Sequence, residues 1–133
     1  MFTLLNKQKP SRRVCHINLA KSYRGGERQT ELLVLESCDR FGIEGVVVVV
    51  RRGGTLSRKF KRIPGLTVLE ARHQLDAHLR AWFENISICH AHEAKAVHWA
   101  FLHFQLTGVP YLITRRVQNP ISRNAFVNSC YQS

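Results

Sequence analysis

The sequence predicts an α/β domain whose mostly parallel sheet is covered by helices on both faces. Two observations carry that expectation. Short apolar runs alternate with amphipathic stretches along nearly the whole chain, and one run, Val46 to Val50, is five consecutive valines. β-Branched residues favour strands, and an apolar run without alternation belongs to a strand buried on both faces, as in parallel sheets. The 133 residues suffice for one domain with a true hydrophobic core.

Residues 1–12 read as a polar lead. Val14 to Ala20, bounded by Arg13 and Lys21, reads as the first strand. A loop through Gly25-Gly26 follows, then a helix over Glu27–Phe41. Glu27 and Glu31 suit the positive end of its dipole, Leu32, Leu35 and Cys38 are its expected buried stripe, and Gly42 is its stop. Gly53-Gly54 ends the valine strand. A short basic helix near Leu56–Lys61 and a third strand, Leu66–Leu69, flank Pro64-Gly65.

Leu75, Leu79, Trp82 and Phe83 recur at helical spacing and mark a helix over His73–Phe83; Ile86–His90 reads as the fourth strand. Glu93–Leu106 is a helix with Ala94, Val97, Phe101 and Phe104 on one side and Gly108 as its cap. Pro110–Val117 is the fifth strand, Asn119-Pro120 a turn, and Ser122–Tyr131 a further helix. This regular alternation implies a Rossmann-like, doubly wound, mostly parallel sheet of about five or more strands over residues 13–133, joined by right-handed crossovers. Ligands of such sheets bind beyond the carboxyl ends of the strands, here after Ala20, Arg51, His90 and Thr114.

The formal charge is +11 and uneven: residues 1–72 hold 15 basic and 6 acidic side chains, residues 73–133 only 5 and 3. Arg51, Arg52, Arg58, Lys59, Lys61 and Arg62 form the densest cluster, with no acidic residue among them. Such a patch suits phosphorylated substrates, anionic lipid surfaces or nucleic acid, or is simply a solvated basic face. Cys15, Cys38, Cys89 and Cys130 form no CxxC pair and lie in apolar patterns, which reads as buried thiols in a reducing compartment. The N-terminus lacks the order of a secretory signal, and no apolar run approaches the roughly 20 residues of a membrane span. A cytoplasmic protein is expected.

Three constellations sit where ligands bind. In Arg24-Gly25-Gly26-Glu27-Arg28-Gln29 the glycines allow close backbone approach and the helix start offers N–H groups to phosphate or sugar oxygens, although a tight structural turn explains them equally well. His90-Ala91-His92-Glu93 places two histidines on one face. A metal site needs further ligands; His98 and His103, and His73 and His78, are each five apart and diverge, so none is expected. Thr114-Arg115-Arg116 ends the fifth strand with two guanidiniums suited to anions or hydroxyls, or simply solvated.

Together RGGERQ, HAHEAKA and GVPYLITRRV resemble the N-terminal domain of the large retaining glycosyltransferase family with the GT-B fold, which includes enzymes of lipopolysaccharide biosynthesis. The likeness runs over nearly all of residues 13–131. Gly25 and Glu27 match the second Gly and the Glu of that family's Gly-Gly-x-Glu loop, with Arg24 in place of the first Gly, and His92 matches the histidine that contacts the transferred sugar. The resemblance implies transfer from a nucleotide diphosphate sugar, without cofactor or obligatory metal, to a glycan or lipid-linked acceptor. His92 would be catalytic, and Gly25, Gly26, Glu27, Arg28, Glu93, Thr114, Arg115 and Arg116 would bind substrate. It also implies a donor-binding second domain with no counterpart in these residues, so that the chain alone is expected to be inactive, and contact with the inner membrane through the basic cluster. Two other readings stay open: a non-enzymatic basic module holding a polyanion, disfavoured for nucleic acid because only Phe60 interrupts the basic stretch, and a metal-dependent hydrolase built on His90 and His92.

Overall fold

The computed structural model describes residues 12–73 and 75–114. Five strands, β1 (Val14–Asn18), β2 (Val46–Arg51), β3 (Thr67–Ala71), β4 (Ile88–Ala91) and β5 (Tyr111–Ile113), form one sheet in the order β3-β2-β1-β4-β5. Every pairing is parallel. The helices are α1 (Gly25–Phe41), α2 (Thr55–Lys61), α3 (His78–Phe83) and α4 (Ala94–Thr107). This is the expected Rossmann-like architecture. The fifth strand's expected extension to Val117, the turn at Asn119-Pro120, the helix over Ser122–Tyr131, Cys130, Arg115 and Arg116 lie outside the described residues.

The valine run behaves as its composition requires. Val46, Val48 and Val50 pack with Val34, Leu56 and Phe60 beneath α1 and α2; Val47 and Val49 join Cys15, Ile17, Cys89, Ala96, Val97 and Trp99 beneath α3 and α4. All five are essentially buried, and each such burial contributes roughly 1.5–3 kcal/mol of transfer free energy. Cys15 and Cys89 are partners in register on the second face. Both are buried and free, as expected, and burial with the neighbouring Cys89 pushes the Cys15 thiol well up.

Three helix expectations are corrected. α1 begins at Gly25, two residues early, because the Glu27 carboxylate reaches back to accept from the Arg24 amide (3.1 Å) and closes the first turn. Its inward face is Glu27, Thr30 and Val34, whereas Leu32 and Leu35 are exposed (51% and 43%) and Cys38 is half-buried. β1 presents His16 and Asn18 to α1, so the helix answers with polar partners: Asn18 Nδ2 donates to Thr30 Oγ1 at 2.9 Å and to Glu27 Oε2 at 3.3 Å. α3 covers only His78–Phe83, because the Asp76 carboxylate accepts from the Arg72 amide and Ala77 takes a left-handed conformation, holding the preceding residues in a turn. Ala77, His78 and Ala81 are buried; Leu75, Leu79, Trp82 and Phe83, which mark the helix in the sequence, are exposed. On α4, Ala96, Val97, Trp99, Ala100 and His103 are buried, while Ala94 is exposed. Gly108 caps that helix in a left-handed conformation, as expected.

His78 and His103, which diverge from their own sequence neighbours, meet across α3 and α4 with Nδ1 atoms 3.0 Å apart and both rings stacked on Trp99. Burial, and secondarily the neighbouring His78, lower the His103 pKa to about 4. His103 Nε2 has no hydrogen-bond partner among the described residues. The unfolded chain takes up this proton near pH 6.5 and the native state only near 4, so the contribution is intact above pH 6.5 and is lost as pH falls to about 4. With allowance for screening through the pocket beside the ring, the loss is on the order of 2 kcal/mol. Urea unfolding at pH 7 and pH 4 will show it, and His103→Leu will flatten the slope between them.

Candidate functional site

The carboxyl edge of the sheet gathers its residues around the end of β1. There the chain leaves toward α1, while β4 alongside leaves toward α4 on the other face. Glu93 ties the two exits together. It is the N-cap of α4: Oε1 accepts from Ala96 (2.7 Å) and Oε2 from Lys95 (2.8 Å), and Oε1 also accepts the Leu19 amide across the sheet at 2.8 Å. The His92 amide donates to the Ile17 carbonyl at 2.9 Å. The β1 loop and the HAHE segment are thus one hydrogen-bonded rim, in which Glu93's oxygens accept from backbone amides.

Glu27 is likewise turned inward, buried in the Asn18–Thr30 network. Gly25 and Arg28 are exposed and Gly26 is half-buried at the start of α1. Gly25 has φ on the ordinary helical side, and a Cβ added there meets nothing within 4 Å. Neither turn geometry nor packing therefore demands glycine at this position.

A cleft of about 510 Å³ opens on this edge beside the rim, lined by Leu19, Arg51, Ala71, Arg72, His73, Leu75 and Lys95. These residues come from the exits of β1, β2 and β3 and the first turn of α4. Among the described residues the side chains of Arg51, Arg72 and Lys95 make no hydrogen bond or ion pair. Three cations facing one cleft without a carboxylate partner form an electropositive concavity suited to a phosphate or carboxylate ligand. Arg72 and Lys95 were not singled out by sequence; only the strand order brings them to Arg51.

The rest of the basic cluster is partly neutralised by residues distant in sequence. Lys61 pairs with Glu70 at 2.6 Å, and together with Ser57 it holds the Glu70 carboxyl below its usual range. Lys59 lies 3.8 Å from Glu31 and 4.8 Å from the centre of the Tyr23 ring. Arg58 donates to the Gly53 carbonyl at 2.8 Å. Arg52 and Arg62 are exposed.

His90 and His92 do share a face, with ring centres 4.1 Å apart, and His90 bonds Thr114 through Nε2 and Oγ1. His92 is turned inward: its Nε2 lies 2.9 Å from His16 Nδ1, and 3% of the residue is exposed. His16 in turn bonds Ser37 Oγ through Nε2 at 2.8 Å. Burial, and secondarily His90, lower its pKa to about 4, so the ring is neutral. His16 is the residue that sequence reasoning missed. Its signal was its place in β1, alternating with Cys15 and Ile17, since β1 is the neighbour of β4 in a sheet of this order and His16 stands in register with His90.

The fold and this edge define an α/β domain of Rossmann-like architecture with a cation-lined cleft at the carboxyl edge of its sheet. No family model, no curated protein and no solved structure matches the chain. No helix among the described residues is long and apolar enough to cross a membrane.

Proposed function

We propose that the chain is the acceptor-side domain of a cytoplasmic GT-B glycosyltransferase, with sugar transfer from a nucleotide diphosphate sugar to an anionic glycan or lipid-linked acceptor. The observation that carries the reading is the cleft beside the β1–α1 rim, where Arg51, Arg72 and Lys95 stand without acidic partners among the described residues. Sugar transfer builds charge on a diphosphate leaving group and often uses phosphorylated acceptors, and both call for preorganised cations. A sheet of this topology supplies them where its strands end. The exposed start of α1 at Gly25 adds backbone N–H groups to the same edge. In this reading His92, whose ring is held by His16, positions the rim. The sugar contact implied by the family resemblance requires the ring to turn outward. Nucleotide-sugar binding is completed by a second domain, so the 133-residue chain binds weakly and does not transfer.

The test is an NMR titration of the chain with nucleotide diphosphate sugars and with phosphorylated lipopolysaccharide core. Shifts are expected at Leu19, Gly25, Arg51, Arg72 and Lys95, and Arg72→Ala should weaken binding about 10-fold, the value of one charge-assisted hydrogen bond. Gly25→Ala separates structure from function. Alanine in the first turn of α1 raises stability by up to about 1 kcal/mol; the proposed close approach of a ligand predicts weaker binding at the same time. Binding of oligonucleotide alone, with a steep salt dependence, would instead assign a polyanion-binding module. The absence of any shift at this edge with every sugar ligand would remove the proposal.

A further inference from the structure

Independently of the sugar-transfer reading, we propose that His16, His90 and His92 form a binding site for a borderline transition-metal ion, Zn²⁺ foremost, with one ring nitrogen from each histidine and a fourth position for water or another oxygen ligand. One ligand atom from each of the three residues lies within 4.8 Å of the other two. A tetrahedral zinc with Zn–N bonds of about 2.0–2.1 Å needs ligand nitrogens about 3.3 Å apart. The His16–His92 contact of 2.9 Å must open by a few tenths of an ångström and the widest separation must close by about 1.5 Å. Ring rotations supply movements of that size without displacing the strands.

Three features favour the assignment. The ligands are imidazoles without a carboxylate, a donor set that suits Zn²⁺, Cu²⁺ or Ni²⁺ and rejects Mg²⁺ and Ca²⁺. Hydroxyls of Ser37 and Thr114 bond the His16 and His90 rings, the kind of outer partner that orients metal-ligating histidines. The site is also reachable: His90 is half-buried, and its register partner Leu112, on the same face of the sheet, is exposed. A hydrogen bond between His16 Nδ1 and His92 Nε2, 2.9 Å apart, requires one proton shared by the pair. With His16 Nε2–H donating to Ser37, that proton belongs to His92, and metal binding moves it to His92 Nδ1 by tautomerisation, without net proton release.

The experiment is calorimetric titration of the chain, free of any histidine tag, with ZnCl₂ and with MgCl₂, followed by X-ray absorption at the zinc edge. One zinc per chain with three imidazole nitrogens in its shell is expected, and no response to magnesium. His16→Gln and His90→Ala should each weaken zinc binding on the order of 100-fold or more. His103→Gln, which alters the separate His78–His103 pair, should leave it unchanged. Circular dichroism shows whether each variant keeps the native fold; if His16→Gln unfolds, the half-buried His90→Ala and the wild-type absorption spectrum decide. Zinc affinity that survives folded His16→Gln or His90→Ala, or falls with His103→Gln, or a shell lacking three imidazoles, overturns the proposal. Zinc binding with no sugar-ligand shifts at the cleft would uphold this site and remove the transferase reading; the reverse result would do the opposite.

Discussion

Replacing Arg13 with alanine is expected to destabilise the domain by about 3–5 kcal/mol, a large part of the total for a domain of this size. Arg13 stands at the amino end of β1 and is 3% exposed. Its guanidinium donates to the Glu44 carbonyl (2.8 Å), to the Glu84 carbonyl (2.6 Å) and carboxylate (2.8 Å), and to Thr67 Oγ1 (3.3 Å). One side chain thus joins the turn before β2, the start of β3 and the turn before β4, all at the sheet end opposite the cleft. Alanine removes the donors and leaves the Glu44 and Glu84 carbonyls with desolvation penalties of about 1–3 kcal/mol each. Arg13→Lys restores the charge but not the fork and should recover less than half of the loss. Urea unfolding followed by circular dichroism measures both; a loss under 1 kcal/mol for alanine would mean that water replaces the guanidinium at little penalty.

Trp99→Ala should have a comparable effect, about 3–5 kcal/mol. Trp99 is fully buried on α4 against the sheet, stacks with His78 and His103 at centre distances of 4.2 and 4.8 Å, and donates from Nε1 to the Asp76 carbonyl at 2.8 Å. Alanine opens a cavity, unstacks both rings and frees the turn that starts α3. Trp99→Phe keeps most of the volume and loses the hydrogen bond, so a smaller loss of about 1–2 kcal/mol is expected. The order of the two variants in urea midpoint tests the argument, because a loss from phenylalanine equal to that from alanine would place the whole effect in the hydrogen bond.

The surface that α3 shows to solvent explains why its sequence signal misled. Leu79, Trp82 and Phe83 have helical spacing, and a helix is there, but the small residues Ala77 and Ala81 with His78 let it sit close to the core and leave the large side chains outside. Periodicity reports that a helix has two unlike faces; it does not report which face is inside when the second is lined by alanine. α1 misled for a related reason. Its inward positions are Glu27, Thr30 and Val34, chosen by the polar residues His16 and Asn18 on the strand beneath, and those partners are not visible from the helix alone.

The candidate site divides in the same way. The rim formed by the β1 loop and the β4 end was legible, because a parallel α/β alternation places strand exits at one edge. The inward turn of Glu27 and Glu93, the cleft formed by Arg51, Arg72 and Lys95, and the meeting of His16 with His92 were not, since each joins residues about 20 or more positions apart or turns on a rotamer.

The amino-acid sequence by itself determined the alternation of strands and helices, the burial of the five valines on both faces of an interior strand and the glycine cap after α4. All of these follow from local side-chain chemistry and burial on two faces of a strand. Only the tertiary structure decided the strand order, which carboxylates serve the backbone, how much of the basic cluster is neutralised by Glu31 and Glu70, and which histidines touch. Those are contacts between distant segments, and their geometry exists only once the sheet has closed its register.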